Sequence, residues 1–108
     1  MSDIPKVLFH GIPDHTTEAD LTAGPPSGKV WTVTALWIAN TDSVARTLTL
    51  KHYIDASNTR TIVPGATFAV KQTEIIGPLV IENGHKVIAE QEEENAIEIT
   101  AYGLEGDA

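Results

Sequence analysis

The segment KVWTVTALWIAN, Lys29–Asn40, limits what this chain can fold into more than any other stretch. It alternates β-branched and aromatic residues over a length that no turn signal interrupts, which suits a long strand. One face carries Trp31, Val33, Ala35, Trp37 and Ala39, all apolar, and is expected to meet the core; the other carries Val30, Thr32, Thr34, Leu36 and Ile38. Leu36 and Ile38 put large apolar groups on that second face as well. Something is therefore expected to cover its far end, either an N-terminal segment folded across it or a neighbouring subunit.

The rest of the chain reads as further short strands. The polar cluster NTDSV follows Asn40, and the alternating run RTLTLKHYI at 46–54 after it predicts an antiparallel hairpin. Strands are expected at 60–63 and 67–75, separated by Pro64-Gly65, with Pro64 implying a sheet edge or a bend. Beyond the Gly77-Pro78 break come 79–81, an Asn83-Gly84 turn, 85–91, and a last strand at 96–103 with Ile97, Ile99 and Ala101 inward. Segments 7–12 and 18–23 are further candidates. No stretch repeats apolar residues at helical spacing over three turns, so helix content should be low. Seven to nine strands with a turn about every ten residues predict an all-β, two-sheet antiparallel β-sandwich. The immunoglobulin Cys, Trp, Cys spacing is absent, which favours a jelly-roll-like strand order. With 108 residues, 42% of them apolar, there is material for one core, hence one domain over 1–108. Residues 1–15 form either an N-terminal arm or the first strand, and Ile4, Val7, Leu8 and Phe9 are its apolar docking candidates, beside Leu36 and Ile38.

Composition removes several kinds of chemistry. Without cysteine there is no disulfide framework, thiolate zinc site or cysteine nucleophile. A formal charge of −8 disfavours binding to phosphate backbones, so nucleic acid is not an expected partner. The N-terminus lacks the pattern of a signal peptide and no long apolar run follows, which implies a soluble protein made in the cytoplasm with no membrane partner. None of His10, His15, His52 and His85 is paired at the two-residue spacing that sets metal ligands on one strand face, so no metal is expected. His52, in register with Leu48 and Leu50, should be partly buried with a hydrogen-bond partner. Glu90, Glu92, Glu93 and Glu94 read as a solvated turn, with an electrostatic docking patch as the alternative. No nucleophile elbow, phosphate loop, zinc-protease motif or dinucleotide fingerprint occurs, so neither an enzyme nor a cofactor is expected. Trp31 and Trp37 are assigned to the core in preference to a sugar-stacking platform.

Four segments carry a resemblance: LTAGPPSGK from Leu21 to Lys29, IAN from Ile38 to Asn40, GPLVIENGHKV from Gly77 to Val87, and AYGLE from Ala101 to Glu105. In this order the chain resembles small β-sandwich virion accessory proteins of tailed bacteriophages, over about 85 residues. Gly84-His85 stands where that group usually has Gly-Asp. The resemblance implies a non-catalytic structural protein located in the virion, most simply a capsid decoration or cement protein. It also implies no cofactor, self-assembly as a homo-oligomer, often a trimer, and contact with the major capsid protein or other virion proteins. A neck, tail or fibre component and a carbohydrate-binding β-sandwich module are the rival expectations.

Overall fold

The computed structural model describes residues 4–15, 17–93 and 95–107, with the side chains of Ile4 and Pro5 outside the described set. Nine strands occur among those residues: β1 (Ile4–Gly11), β2 (Ala19–Thr22), β3 (Lys29–Asn40), β4 (Arg46–Asp55), β5 (Asn58–Phe68), β6 (Thr73–Ile76), β7 (Leu79–Glu82), β8 (Lys86–Gln91) and β9 (Ile97–Asp107). Their pairing is that of one long hairpin folded on itself. β1 pairs with β9, β2 with β8, β3 with β6 and β7, and β4 with β5, all antiparallel. Two more pairings, β3 with β9 and β4 with β8, roll this ribbon into two sheets. The first runs β1-β9-β3-β6 with β7 also on β3, and the second runs β2-β8-β4-β5. This is the strand order of an eight-stranded jelly roll in which one strand is interrupted. Gly77-Pro78 makes the interruption, leaving β6 and β7 end to end along β3.

Turn chemistry explains both agreements and corrections. β3 has the bounds expected of it, and Asn40 ends it by donating from Nδ2 to the carbonyls of Val44, Phe68 and Ala69 at 3.0–3.1 Å. The chain then crosses to the other sheet, so β3 and β4 are not the predicted hairpin; β4 pairs with β5 and β8 instead. Pro64-Gly65 does not divide two strands, because β5 runs straight through it. β5 lies at a sheet edge, where the missing N–H of Pro64 can face away from the ladder. Gly65, at φ 67°, takes up the extra residue of a bulge opposite Leu48 and Thr49. The first strand, and not a free arm, is the structure of residues 4–11.

The core lies between the inner faces, with Leu36, Ile38, Ile97 and Ile99 from the first sheet and Leu48, Leu50 and Val87 from the second all fully buried. Gln91 is the buried polar tie across it, donating to Pro13 O at 2.7 Å and accepting from Ile97 N at 2.7 Å. Every buried side-chain polar atom among the described residues has a hydrogen-bond partner.

Candidate interaction face

Two bulges at one level of the first sheet decide which side chains face outward. In β3, Val33 pairs with Gly103 and Ala35 with Tyr102, which leaves Thr34 as an extra residue. In β1, Val7 pairs with Tyr102 and Phe9 with Ala101, which leaves Leu8 extra in the same way. β9 passes between them with Gly103 at the level of the bulges, where a Cβ would run into the carbonyl oxygen of Thr32. A bulge shifts the two-residue period by one. Along β3 the inward set is therefore Trp31 and Val33 before the bulge, then Leu36, Ile38 and Asn40 after it.

The expected core face of β3 is thus right for its first half and inverted in its second. Trp31 is 6% exposed, stacks on Phe9 with ring centroids 6.1 Å apart, and donates its indole N–H to Glu105 Oε2 at 2.9 Å. That bond, helped by Lys6, holds the Glu105 carboxyl below the usual carboxylate range. Trp37 is instead 43% exposed on the outer face. Its ring meets Tyr102 edge to face at 6.1 Å, and Tyr102 is equally exposed.

Around these two rings the outer face is apolar. Val7, 51% exposed, stands opposite Tyr102, and Ile75, 57% exposed, stands opposite Trp37. Val80 faces outward beside Thr32. An open hollow of about 460 Å³ lies between Val7, Thr34, Tyr102 and Leu104. Charged side chains stand toward the strand ends: Lys6 pairs with Glu105 at 3.4 Å and Lys29 with Asp107 at 2.7 Å, His10 Nε2 lies 3.6 Å from Glu98 Oε1, and Glu82 faces outward beside Val30. Removing the half-exposed Val7, Ile75 and Val80 from water is favourable by about 1 kcal/mol each, roughly half the value for full burial.

Of the five docking residues expected from sequence whose side chains are described, only Val7 belongs to this face. Leu8 and Phe9 are buried in β1, and Ile4 opens that strand with its side chain outside the described set. Leu36 and Ile38 need no partner chain, because the bulge turns them into the core under the second sheet of the same chain. Sequence reasoning missed Trp37, Tyr102 and Ile75. The available clue was partial: Leu36 and Ile38 change parity relative to Trp31 and Val33, but Trp37, the largest side chain of β3, shares its side with Ala35 and Ala39 and gave no sign of its own.

His52 is buried with a partner, which is His85. His52 Nε2 lies 3.1 Å from His85 Nδ1, and the Glu82 backbone N–H donates to that same His85 nitrogen at 3.3 Å. A backbone N–H can only donate, so His85 Nδ1 accepts and His52 Nε2 carries the proton. Burial holds His52 below the ordinary imidazole value, reinforced by His85 and Arg60 and opposed by Glu82. Glu92 accepts from Thr47 N at 2.8 Å and Glu93 reaches Arg46 at 3.8 Å, while Glu94 lies outside the described residues. No group of three metal-ligating side chains occurs among the described residues, and no helix among them is long and apolar enough to cross a membrane.

Comparisons with protein-family models, with curated proteins and with solved structures return no match to this chain. Fold and surface together define a β-sandwich of jelly-roll order whose first sheet carries an exposed aromatic pair, Trp37 and Tyr102, on its outer face.

Proposed function

We propose that the chain is a non-catalytic structural protein of a tailed-bacteriophage virion, a capsid decoration or cement protein that assembles with copies of itself and with other virion proteins. The observation that carries the structural role is the outer face of the first sheet, where Val7, Tyr102, Trp37 and Ile75 offer apolar area with no charged group among them. The virion setting rests on the four resembling segments. They shape the backbone at the corner leading into β3, the Asn40 cap, the break and turn around β7, and the β9 stretch where Gly103 and Glu105 meet Thr32 and Trp31. Such residues support a shared fold more directly than a shared location. Co-sedimentation of the purified chain with phage particles that lack it tests the setting. Saturable binding at a fixed ratio to the major capsid protein is the expected result; binding to isolated tails or necks and not to heads would move the protein there, and binding to no particle would remove the virion role.

A second reading has its own support. Trp37 and Tyr102, exposed and adjacent, resemble the aromatic platforms on which sugar rings stack, as a carbohydrate-binding module requires. Quenching of Trp37 fluorescence by a small polar quencher, relieved by glycans and not by particles, would favour it.

A further inference from the structure

We propose that the His85 ring is an acid-released clasp, which closes the β7–β8 turn on the second sheet while its Nδ1 is unprotonated. The clasp goes beyond the structural role proposed above and does not depend on it.

Two parts of the chain meet at one nitrogen. His85 Nδ1 accepts from His52 Nε2 on β4 at 3.1 Å and from the Glu82 backbone N–H at the end of β7 at 3.3 Å. β7 belongs to the first sheet and β4 to the second, so this one acceptor ties the two sheets together where the chain turns from β7 into β8. Within the turn, His85 N donates to Glu82 O at 3.0 Å. The corner before β3 rests on the same turn. Asn83 Nδ2 donates to Pro25 O at 3.1 Å, and Gly24 lies so close to the His85 carbonyl that a Cβ would strike it.

A proton on His85 Nδ1 ends both bonds that this nitrogen accepts. The Glu82 N–H then faces a second donor, and a backbone amide cannot reverse its role. His52 is a poor alternative site for the proton, because burial disfavours an imidazolium there, with His85 and Arg60 adding to the effect and Glu82 opposing it. The charged groups around the two rings are Arg60 on β5, Glu82 on β7 and Asp55 at the end of β4. Lys51 and Lys86 stand on the other face of the second sheet, paired with Glu18 and Asp20. His85 lines an open hollow of about 320 Å³ with Arg60, Pro78 and Leu79, so a proton reaches it from water without the core opening. A released ring binds that proton at no cost in hydrogen bonds. Falling pH therefore favours release, and rising pH restores the clasp.

Amide hydrogen exchange and imidazole nitrogen shifts of the purified full chain, followed by NMR from about pH 8 to about pH 5, test the clasp. At the alkaline end His85 Nδ1 is expected to be unprotonated and the Glu82 amide protected. As Nδ1 takes up its proton, Glu82 protection relative to an unstructured peptide should fall by roughly tenfold, the size of one lost hydrogen bond, while the β3–β9 ladder keeps its own. His85→Asn retains an oxygen near the Nδ1 position and cannot titrate, so Glu82 protection in it should stay constant across the range; urea unfolding verifies its fold. Constant Glu82 protection in the wild type, or a pH dependence that survives His85→Asn, overturns the clasp. So does an equal fall across the β3–β9 ladder, or a loss at Glu82 whose midpoint differs from the protonation of His85 Nδ1, and neither of these readings needs a variant.

Discussion

The two outer faces of this sandwich follow the same alternation and enclose the same core, yet they present different chemistry. On the second sheet, outward positions carry Thr47, Thr49 and ion pairs within the chain: Lys51 with Glu18 at 2.9 Å and Lys86 with Asp20 at 3.6 Å. Lys86 also lies over the Tyr53 ring, 5.3 Å from its centre. That is a sheet face finished for water. On the first sheet the equivalent positions carry Val7, Tyr102, Trp37 and Ile75, and the charges are pushed to the ends. The difference teaches that a solvent-side position in a two-sheet fold is not the same as a solvated one. Water suffices as the neighbour of the second face; the first leaves two aromatic rings and several aliphatic side chains half exposed to it.

The sharpest way to break this comparison uses adjacent residues of β3. Ile38→Ala should lower the free energy of urea unfolding by about 2–5 kcal/mol, the range for emptying a packed aliphatic site. Trp37→Ala should lower that of the monomer by less than about 1 kcal/mol, as exposed substitutions do. Equal losses would mean that the bulge at Thr34 is misplaced. Next in size, Gly103→Ala drives a methyl group into the Thr32 carbonyl and should cost about 1–3 kcal/mol by the same measurement. An unchanged midpoint would show that β1 and β3 have room to spare beside β9.

A smaller effect separates the apolar first face from the titratable end of the second sheet. Because His52 titrates below 6.5 when folded, the unfolded chain binds its proton first as pH falls. Stability is whole above about pH 6.5 and declines as pH drops through the depressed folded value. Arg60, Glu82, Asp55 and His85 surround this site, so His52→Gln should remove the His52 part of the slope in pH-dependent melting and leave the carboxylate part. Smallest of all, Lys51→Ala and Lys86→Ala should leave the urea midpoint nearly unmoved, since exposed ion pairs contribute little. A clear loss would show that the second face is held by its pairs.

How far the fold was legible in the sequence depended on the range of the interactions. β3 was readable to its ends because alternation and the Asn40 turn are local. The sandwich followed from turn spacing, and the buried role of His52 from its register with Leu48 and Leu50. Pairing across the sheets was not readable: NTDSV looks like a hairpin turn, and only the competition of β5 and β8 for β4 sends the chain across. His85, 33 residues from His52, gave no local sign of the contact. The interaction face was lost through a single residue. A bulge at Thr34 depends on the neighbours Leu8 and Gly103, which lie far along the chain, and it moved Trp37 from the expected core to the surface while it buried Leu36 and Ile38.

Trp37 itself offers the most direct test that the outer side of the first sheet is the contact face. In a Trp31→Phe variant the remaining indole reports from the outer side of the first sheet, and its collisional quenching by a neutral quencher can be followed as the protein is concentrated. Strong quenching in dilute solution that falls steadily as copies associate is the predicted result. Association that leaves the quenching of Trp37 unchanged would place the contact elsewhere and contradict the account.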